Sequence, residues 1–170
     1  MEFREVLEAR RSVRKFKRDG IAEETMQEIL QLAQLAPSAG NLQAYRVRIV
    51  KKHDVKEKLK EATFGKQESV TSASAVLVIC ACPEESSRKY GGRGSELYSI
   101  QDATIFAAYL QLVLASLDLA SVWVGAFSEE KVKEVLELPE NLRPIIILPC
   151  GYPDDTPHPR ERKNLNGIII

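Results

Sequence analysis

Net charge is the first thing missing: 24 lysines and arginines balance 24 aspartates and glutamates, so no overall field exists to hold a nucleic-acid backbone or an anionic membrane. Aromatic residues make up 6% of the chain and do not interleave with basic ones, which disfavours an RNA-associated protein. The cysteines number three, too few and odd for a disulfide framework. Cys80 and Cys150 stand in apolar runs and Cys82 beside one, where a thiol behaves as a small hydrophobe, and a reducing, cytoplasmic setting is expected. His53 and His158 lie at no ligand spacing from each other or from Cys80 and Cys82, so no metal site is expected. Met1-Glu2-Phe3-Arg4-Glu5 has no apolar secretory core, and the most apolar stretch, residues 103–117, is broken by Gln111 and bounded by Asp102 and Asp118; no membrane span is expected. No Gly-x-Gly-x-x-Gly follows an early strand, and the glycines at 91, 92 and 94 lack a following Gly-Lys-Ser/Thr, so neither common nucleotide fingerprint is present.

What is present is about one domain's worth of chain, residues 1–170, long enough to bury a core without disulfides or metal. Phe3, Val6 and Leu7 share a helical face, predicting a short helix over 2–10. Met26, Ile29, Leu30 and Ala33 predict a second from 22, stopped before Pro37. Tyr45, Val47 and Ile49 alternate with arginines as in a half-buried strand. Asp54 reads as the cap of a charged helix, with Lys66 and Gln67 in the loop after it. Residues 75–81, Ala-Val-Leu-Val-Ile-Cys-Ala, form a continuous apolar run that belongs mid-sheet. Residues 83–99, rich in serine, glycine and charge, read as a mobile lid or rim loop. Residues 101–120 read as a helix apolar nearly all round, which a single sheet would struggle to cover, so a partner subunit is expected. Ser121 to Val124 and residues 143–150 read as strands, and Ser128 as the cap of an intervening helix. The end, Gly167-Ile168-Ile169-Ile170, reads as a strand in need of a sheet edge. Alternating strands and helices argue for an α+β fold, an α/β/α sandwich whose central sheet is of mixed sense with helices on both faces.

Chemistry concentrates in two places. Ala9-Arg10-Arg11-Ser12-Val13-Arg14-Lys15 surrounds one hydroxyl with cations just after the first helix; guanidinium forks match phosphate oxygens. With no dinucleotide fingerprint, such a cradle points to a cofactor with one phosphate. Pro37-Ser38-Ala39-Gly40-Asn41-Leu42-Gln43 is a turn of little bulk that lets backbone approach a flat ligand.

In this order, with Val124-Gly125-Ala126-Phe127 and with Gly151-Tyr152-Pro153 followed by Arg160 and Arg162, these motifs resemble those of the FMN-dependent nitroreductase family, in a short version. The resemblance covers essentially the whole chain. It implies a single FMN-binding domain that forms a homodimer with shared flavin sites, its C-terminal strand joining the partner subunit. NADH or NADPH would reduce the flavin, which then reduces a small acceptor such as a nitro compound or a quinone in a ping-pong cycle. It implies that Arg10, Ser12, Arg160 and Arg162 hold the phosphate and that Arg14 tunes the flavin at its N1/O2 edge. Pro37, Ser38, Ala39 and Asn41 would line the ring. Val124, Gly125 and Ala126 would offer backbone near N5, Gln67 would meet the pyrimidine edge, and Gly151 would belong to the closing phosphate motif. Arg11 is the cation whose role stays open between ligand, structural pair and solvent. Alternatives within the same fold are a flavin-dependent dehalogenase or dehydrogenase, and a storage or sensor protein that binds FMN without turnover.

Overall fold

A computed structural model describes residues 2–170. Four strands, β1 (Tyr45–Val50), β2 (Ala75–Ala81), β3 (Ala120–Ser121) and β4 (Arg143–Gly151), form one sheet in the order β1-β2-β4-β3. Every residue of β2 is buried, because its unbroken apolar run supplies side chains to both faces of the sheet. Leu77 and Ile79 join Ile146 and Leu148 in a core beneath α2 (Glu23–Ala33) and α6 (Ser99–Ser116). Val76, Val78 and Cys80 join Leu59, Val70 and Val132 in a second core beneath α3 (His53–Ala62), α4 (Glu68–Ser72) and α7 (Glu129–Leu136). This is the expected sandwich.

The strands pair antiparallel throughout, and the parallel component of the expected mixed sheet is a single bridge between Ser12 and Ser121. The cause lies in the connections. Val50, the last residue of β1, faces Val76 at the start of β2, so the α3–α4 excursion returns the chain to the end of the sheet it left.

Local signals mark several helix starts. α1 (Phe3–Ala9) opens on a capping box in which the Glu2 amide donates to Glu5 Oε2 at 2.9 Å, and α7 opens on Ser128, whose Oγ accepts from the Lys131 amide at 3.2 Å. Asp54 does not cap α3: the helix begins two residues earlier than that would set, at His53 after Lys52, leaving Asp54 in the first turn, where its charge still suits the helix dipole. Gln67 lies at the N-cap of α4 rather than in a free loop.

Residues 83–99 are helical, which corrects the expectation of a lid loop. α5 (Pro83–Arg93) starts with Pro83 in its first turn and Glu84 and Glu85 behind it, a favourable start. It reverses at Gly91, whose φ of 57° and ψ of −144° suit only glycine, and a π-helical turn (Gly94–Tyr98) leads into α6. The result is a helical hairpin, locked by the contact of Gly94 with the Ser86 backbone.

α6 is not buried on every side. Ala103, Phe106, Ala107, Leu110 and Leu114 face the sheet and are buried, whereas Ile105, Ala108, Tyr109 and Leu112 form a stripe left partly or fully open. One sheet covers one helix face. The stretch Pro83–Ser116 has the length and composition of a membrane span, yet it buries Ser99, Asp102 and Gln111 within the domain, as a core helix does. The chain end carries a 3-10 turn (Leu165–Gly167) where a strand was expected; Ile168 and Ile169 are 63% and 68% exposed and meet no sheet edge within the protomer.

Candidate functional site

The stretch after α1 is stitched between two parts of the sheet. The Val13 amide donates to Ser121 O at 3.2 Å, the Lys17 amide to Tyr152 O at 2.9 Å and the Asp154 amide to Lys15 O at 2.9 Å. Val13 and Phe16 are the apolar anchors, 4% and 7% exposed, so the intervening Arg14 and Lys15 turn outward. Gly151 makes this strap possible: a Cβ there would lie 2.6 Å from Ser74 Oγ and 3.3 Å from Phe16 Cδ1. Its role is close packing beneath the strap.

The strap and the tail after β4 enclose a cleft of about 770 Å³ lined by Arg10, Arg11, Ser12, Arg14, Arg160 and Arg162, with Leu7, Glu8, Pro157, His158 and Pro159 at its edges. Sequence motifs some 150 residues apart therefore meet here. Glu8 is the one carboxylate in the lining, and it pairs with Arg4 at 2.9 Å. Among the described residues none of the five arginines of the cleft forms an ion pair. Arg14 Nη1 donates to Ser12 O at 3.2 Å and Arg162 Nη1 to Arg160 O at 3.0 Å, which leaves most of their N–H groups free. Arg11 differs: its Nη1 donates to Arg10 O at 2.9 Å and to Glu8 O, closing the end of α1. Like charges gathered without counter-charges repel one another, and an anion that accepts from several of them relieves this.

The turn at 37–43 is built separately. Ser38 Oγ accepts from the Gln43 amide at 3.0 Å, and the Ala39 amide donates to Asp102 Oδ1 at 2.8 Å. Pro37 and Asn41 are exposed and Ser38 and Ala39 half-buried. Asp102 is 2% exposed and its Oδ2 has no partner; burial raises its carboxyl above the ordinary aspartate range, against the lowering effect of the Ala39 N–H. This anchor escaped the sequence reading, where Asp102 served only to bound an apolar run. An acid inside an otherwise apolar helix is the signal that marks it. His158 and its flanking prolines were likewise missed, since nothing local in the tail tells which of its residues will line the cleft.

The structure does not bring the turn and the basic cleft together within one protomer. Asp102 holds the turn at one end of α6, whereas Gln111 and Ala115, at the other end, share a smaller cavity with Arg10 and Arg11. Thirteen residues of helix separate Asp102 from Ala115, roughly 20 Å. Gly125 and Ala126 are exposed just beyond Val124, whose backbone is bonded to Ile147, on the strand edge that carries the strap. Gln67 is half-buried and lines none of these cavities. The three thiols take no part: burial pushes Cys80 and Cys150 up to about 12 and Cys82 up to about 11.

The fold recurs in known proteins. The model of the nitroreductase family matches residues 7–77 and 61–152. An NADH dehydrogenase of Thermus thermophilus is 30% identical over 188 aligned positions, spanning 95% of this chain and 91% of that one. An NADPH-flavin oxidoreductase of Vibrio harveyi is 31% identical, spanning 97% and 71%. A crystal structure of a nitroreductase family protein from Clostridium novyi superposes with a TM-score of 0.83 at 30% identity, covering 91% of this chain and 87% of that one. The chain belongs to the nitroreductase family.

Proposed function

We propose that this protein is an FMN-dependent oxidoreductase that takes electrons from NADH or NADPH and passes them to a small acceptor such as a nitro compound or a quinone. The observation that carries the reading is the cleft of arginines without carboxylate partners, which fits one phosphate group. The names of the Thermus and Vibrio relatives support the nicotinamide donor, and the Vibrio name supports the flavin. FMN, when bound, would supply the redox chemistry that couples the nicotinamide donor to the acceptor.

The chain's own residues bind and orient. Arg10, Ser12, Arg160 and Arg162 hold the phosphate, and Arg11 keeps the end of α1 in shape beneath them. Arg14 sets a positive charge at the N1/O2 edge, where negative charge develops on reduction, so it favours that change by the logic of an oxyanion site. Gly125 and Ala126 would offer backbone N–H groups to N5, and Gln67 is assigned to the pyrimidine edge. The turn at 37–43 serves the flavin of a partner subunit. Two copies packed through the open stripe of α6 about a two-fold axis perpendicular to the helix set their α6 helices antiparallel, and in that arrangement the turn of one copy comes over the cleft of the other. The exposed isoleucine tail then has a second surface to cover it. Residues 1–170 act as one such domain, and the three buried free thiols suit a cytoplasmic, reducing setting.

Identifying the heat-released cofactor by chromatography tests this. FMN is expected as the dominant flavin, and anaerobic NADH or NADPH should bleach it. FAD as the main product, or no binding after incubation with excess FMN, overturns the reading; bound FMN that neither nucleotide reduces makes the protein a store or sensor instead.

A further inference from the structure

The tip of the α5–α6 hairpin carries a second group of cations that the flavin reading does not use. Lys89 Nζ lies 5.3 Å from the centre of the Tyr90 ring, and the Arg93 guanidinium 5.4 Å from that of Tyr98. The two rings meet edge to face with centroids 5.2 Å apart and planes at 81°, and Arg93 Nε donates to Tyr98 Oη at 3.0 Å. The four side chains form one continuous array, cation, ring, ring, cation. The reversal at Gly91 creates it by folding Lys89 and Tyr90 back against Arg93 and Tyr98.

Three further facts point outward from this array. Among the described residues, neither Lys89 nor Arg93 forms an ion pair, although Glu84, Glu85 and Glu96 lie on the same hairpin; Glu85 is taken by Arg46. Both cations are exposed and both rings half-buried, so the rings fix the side chains from below while the charges face solvent. And the array adjoins the flavin turn: a Cβ at Gly40 would collide with the Tyr90 hydroxyl and the Lys89 ammonium. Held cations that keep their donors free lose little freedom when an anion binds.

We propose that Lys89 and Arg93, braced on Tyr90 and Tyr98, recognise the phosphate monoester of a 2′-phosphorylated nicotinamide dinucleotide and so make NADPH the preferred donor. The inference rests on the flavin reading above. The turn at 37–43 lies along the flavin ring where the nicotinamide must also lie, and the dinucleotide is long enough for its far end to leave the ring over the neighbouring hairpin. There two cations meet a phosphate that NADPH carries and NADH lacks.

The test is steady-state kinetics on the FMN-loaded protein, with kcat and KM for NADPH and for NADH measured on the native chain and on Lys89→Ala, Arg93→Ala, Lys89→Arg and Arg93→Lys. The native chain should favour NADPH in kcat/KM. Each alanine variant should lower the NADPH/NADH ratio by about tenfold, the scale of one charged hydrogen bond, through KM with kcat held, and each conservative variant should keep most of the preference. FMN content and reduction by dithionite monitor folding. Equal kcat/KM for the two donors in the native chain, or equal loss for both in the alanine variants, overturns the phosphate site and leaves the oxidoreductase reading intact. So does an effect confined to acceptors, seen when nitrobenzoate but not nitrobenzene loses efficiency, because the cations then serve the acceptor. Reduction by neither nucleotide, with dithionite still bleaching the flavin, overturns the donor reading and this inference with it.

Discussion

Adding one methyl group at residue 151 tests whether the strap beneath the cleft is as tight as its distances indicate. In Gly151→Ala the new Cβ falls 2.6 Å from Ser74 Oγ, 3.2 Å from Ser74 N and 3.3 Å from Phe16 Cδ1. Ser74 Oγ now donates to Asp19 O at 2.6 Å, and rotating it away breaks that bond at a cost of about 1 kcal/mol. Ser74 N cannot retreat easily, since β2 begins at the next residue, and overpacking of this kind costs about 1–3 kcal/mol. The sum, about 2–4 kcal/mol, lowers Tm by roughly 4–16 °C for a domain of this size. Phe16 is the movable neighbour, and its displacement shifts the segment that carries Arg14, so FMN affinity should fall along with Tm. Thermal denaturation of the FMN-loaded protein and fluorescence titration of FMN measure the two effects. Ser74→Ala, which removes the closest atom, supplies the control: the double variant should be less destabilised than the sum of the singles by about 1 kcal/mol, as neighbours in contact require. A Tm within about 2 °C of the parent for Gly151→Ala, or strict additivity in the cycle, would falsify the packing argument.

Four further outcomes are expected. Arg10→Ala should weaken FMN binding by about 1.5–3 kcal/mol, the scale of a charged hydrogen bond, with turnover restored by excess FMN. Arg14→Ala should lower the flavin potential by some tens of mV even at full occupancy, where ~30 mV is about 1.4 kcal/mol for a two-electron couple; potentiometry showing no shift removes Arg14 from the electronic role. Leu112→Arg, which puts a charge in the open stripe of α6, should convert a dimer seen by light scattering into a monomer that retains little FMN, and a charged variant that stays dimeric with full flavin contradicts the proposed interface. For Asp102, whose carboxyl is raised by burial, the native state keeps a proton that the unfolded chain has released, so stability from this group is greatest below the unfolded value of about 3.9 and is lost as pH rises through the native one. Asp102→Asn keeps an acceptor for the Ala39 amide without the charge. Its Tm relative to the parent should therefore rise from about pH 4 to about pH 8, and a difference that falls over that range means the carboxylate is stabilising where it sits.

How much of this was legible in the sequence depends on whether a residue's role is set by its neighbours in the chain or by those in space. The run at 75–81 names its own place, because an unbroken apolar strand can sit only mid-sheet, and Ser128 signals its helix start directly. The arginine cradle was visible as a density of donors, and its partners Arg160 and Arg162 only through the resemblance, since nothing local ties residues after 150 to residues before 15. The hairpin at 83–99 was misread because serines and glycines lower helix propensity, while what holds it is tertiary: Gly94 against Ser86 and two tyrosines meeting through the turn at Gly91. Arg11 and Arg10 stand side by side in sequence with the same chemistry and both line the cleft, and only the bonds of the Arg11 guanidinium to the carbonyls of Glu8 and Arg10 set the two apart.

The length of α6 also has a genetic reading. Because the helix holds its turn roughly 20 Å from its own cleft, each polypeptide of the proposed dimer would donate halves to two different sites, and a defect in one half would harm only one of them. At limiting FMN, a chain with Arg10→Ala and a chain with a disrupted turn each show little activity as pure dimers. Expressed together, roughly half of the dimers are mixed, and each mixed dimer gathers both lesions into one site while leaving the other wholly intact. Activity should reappear on mixing two inactive alleles, at close to a quarter of the parental number of sites. Two lesions within one chain, co-expressed with nothing else, restore none.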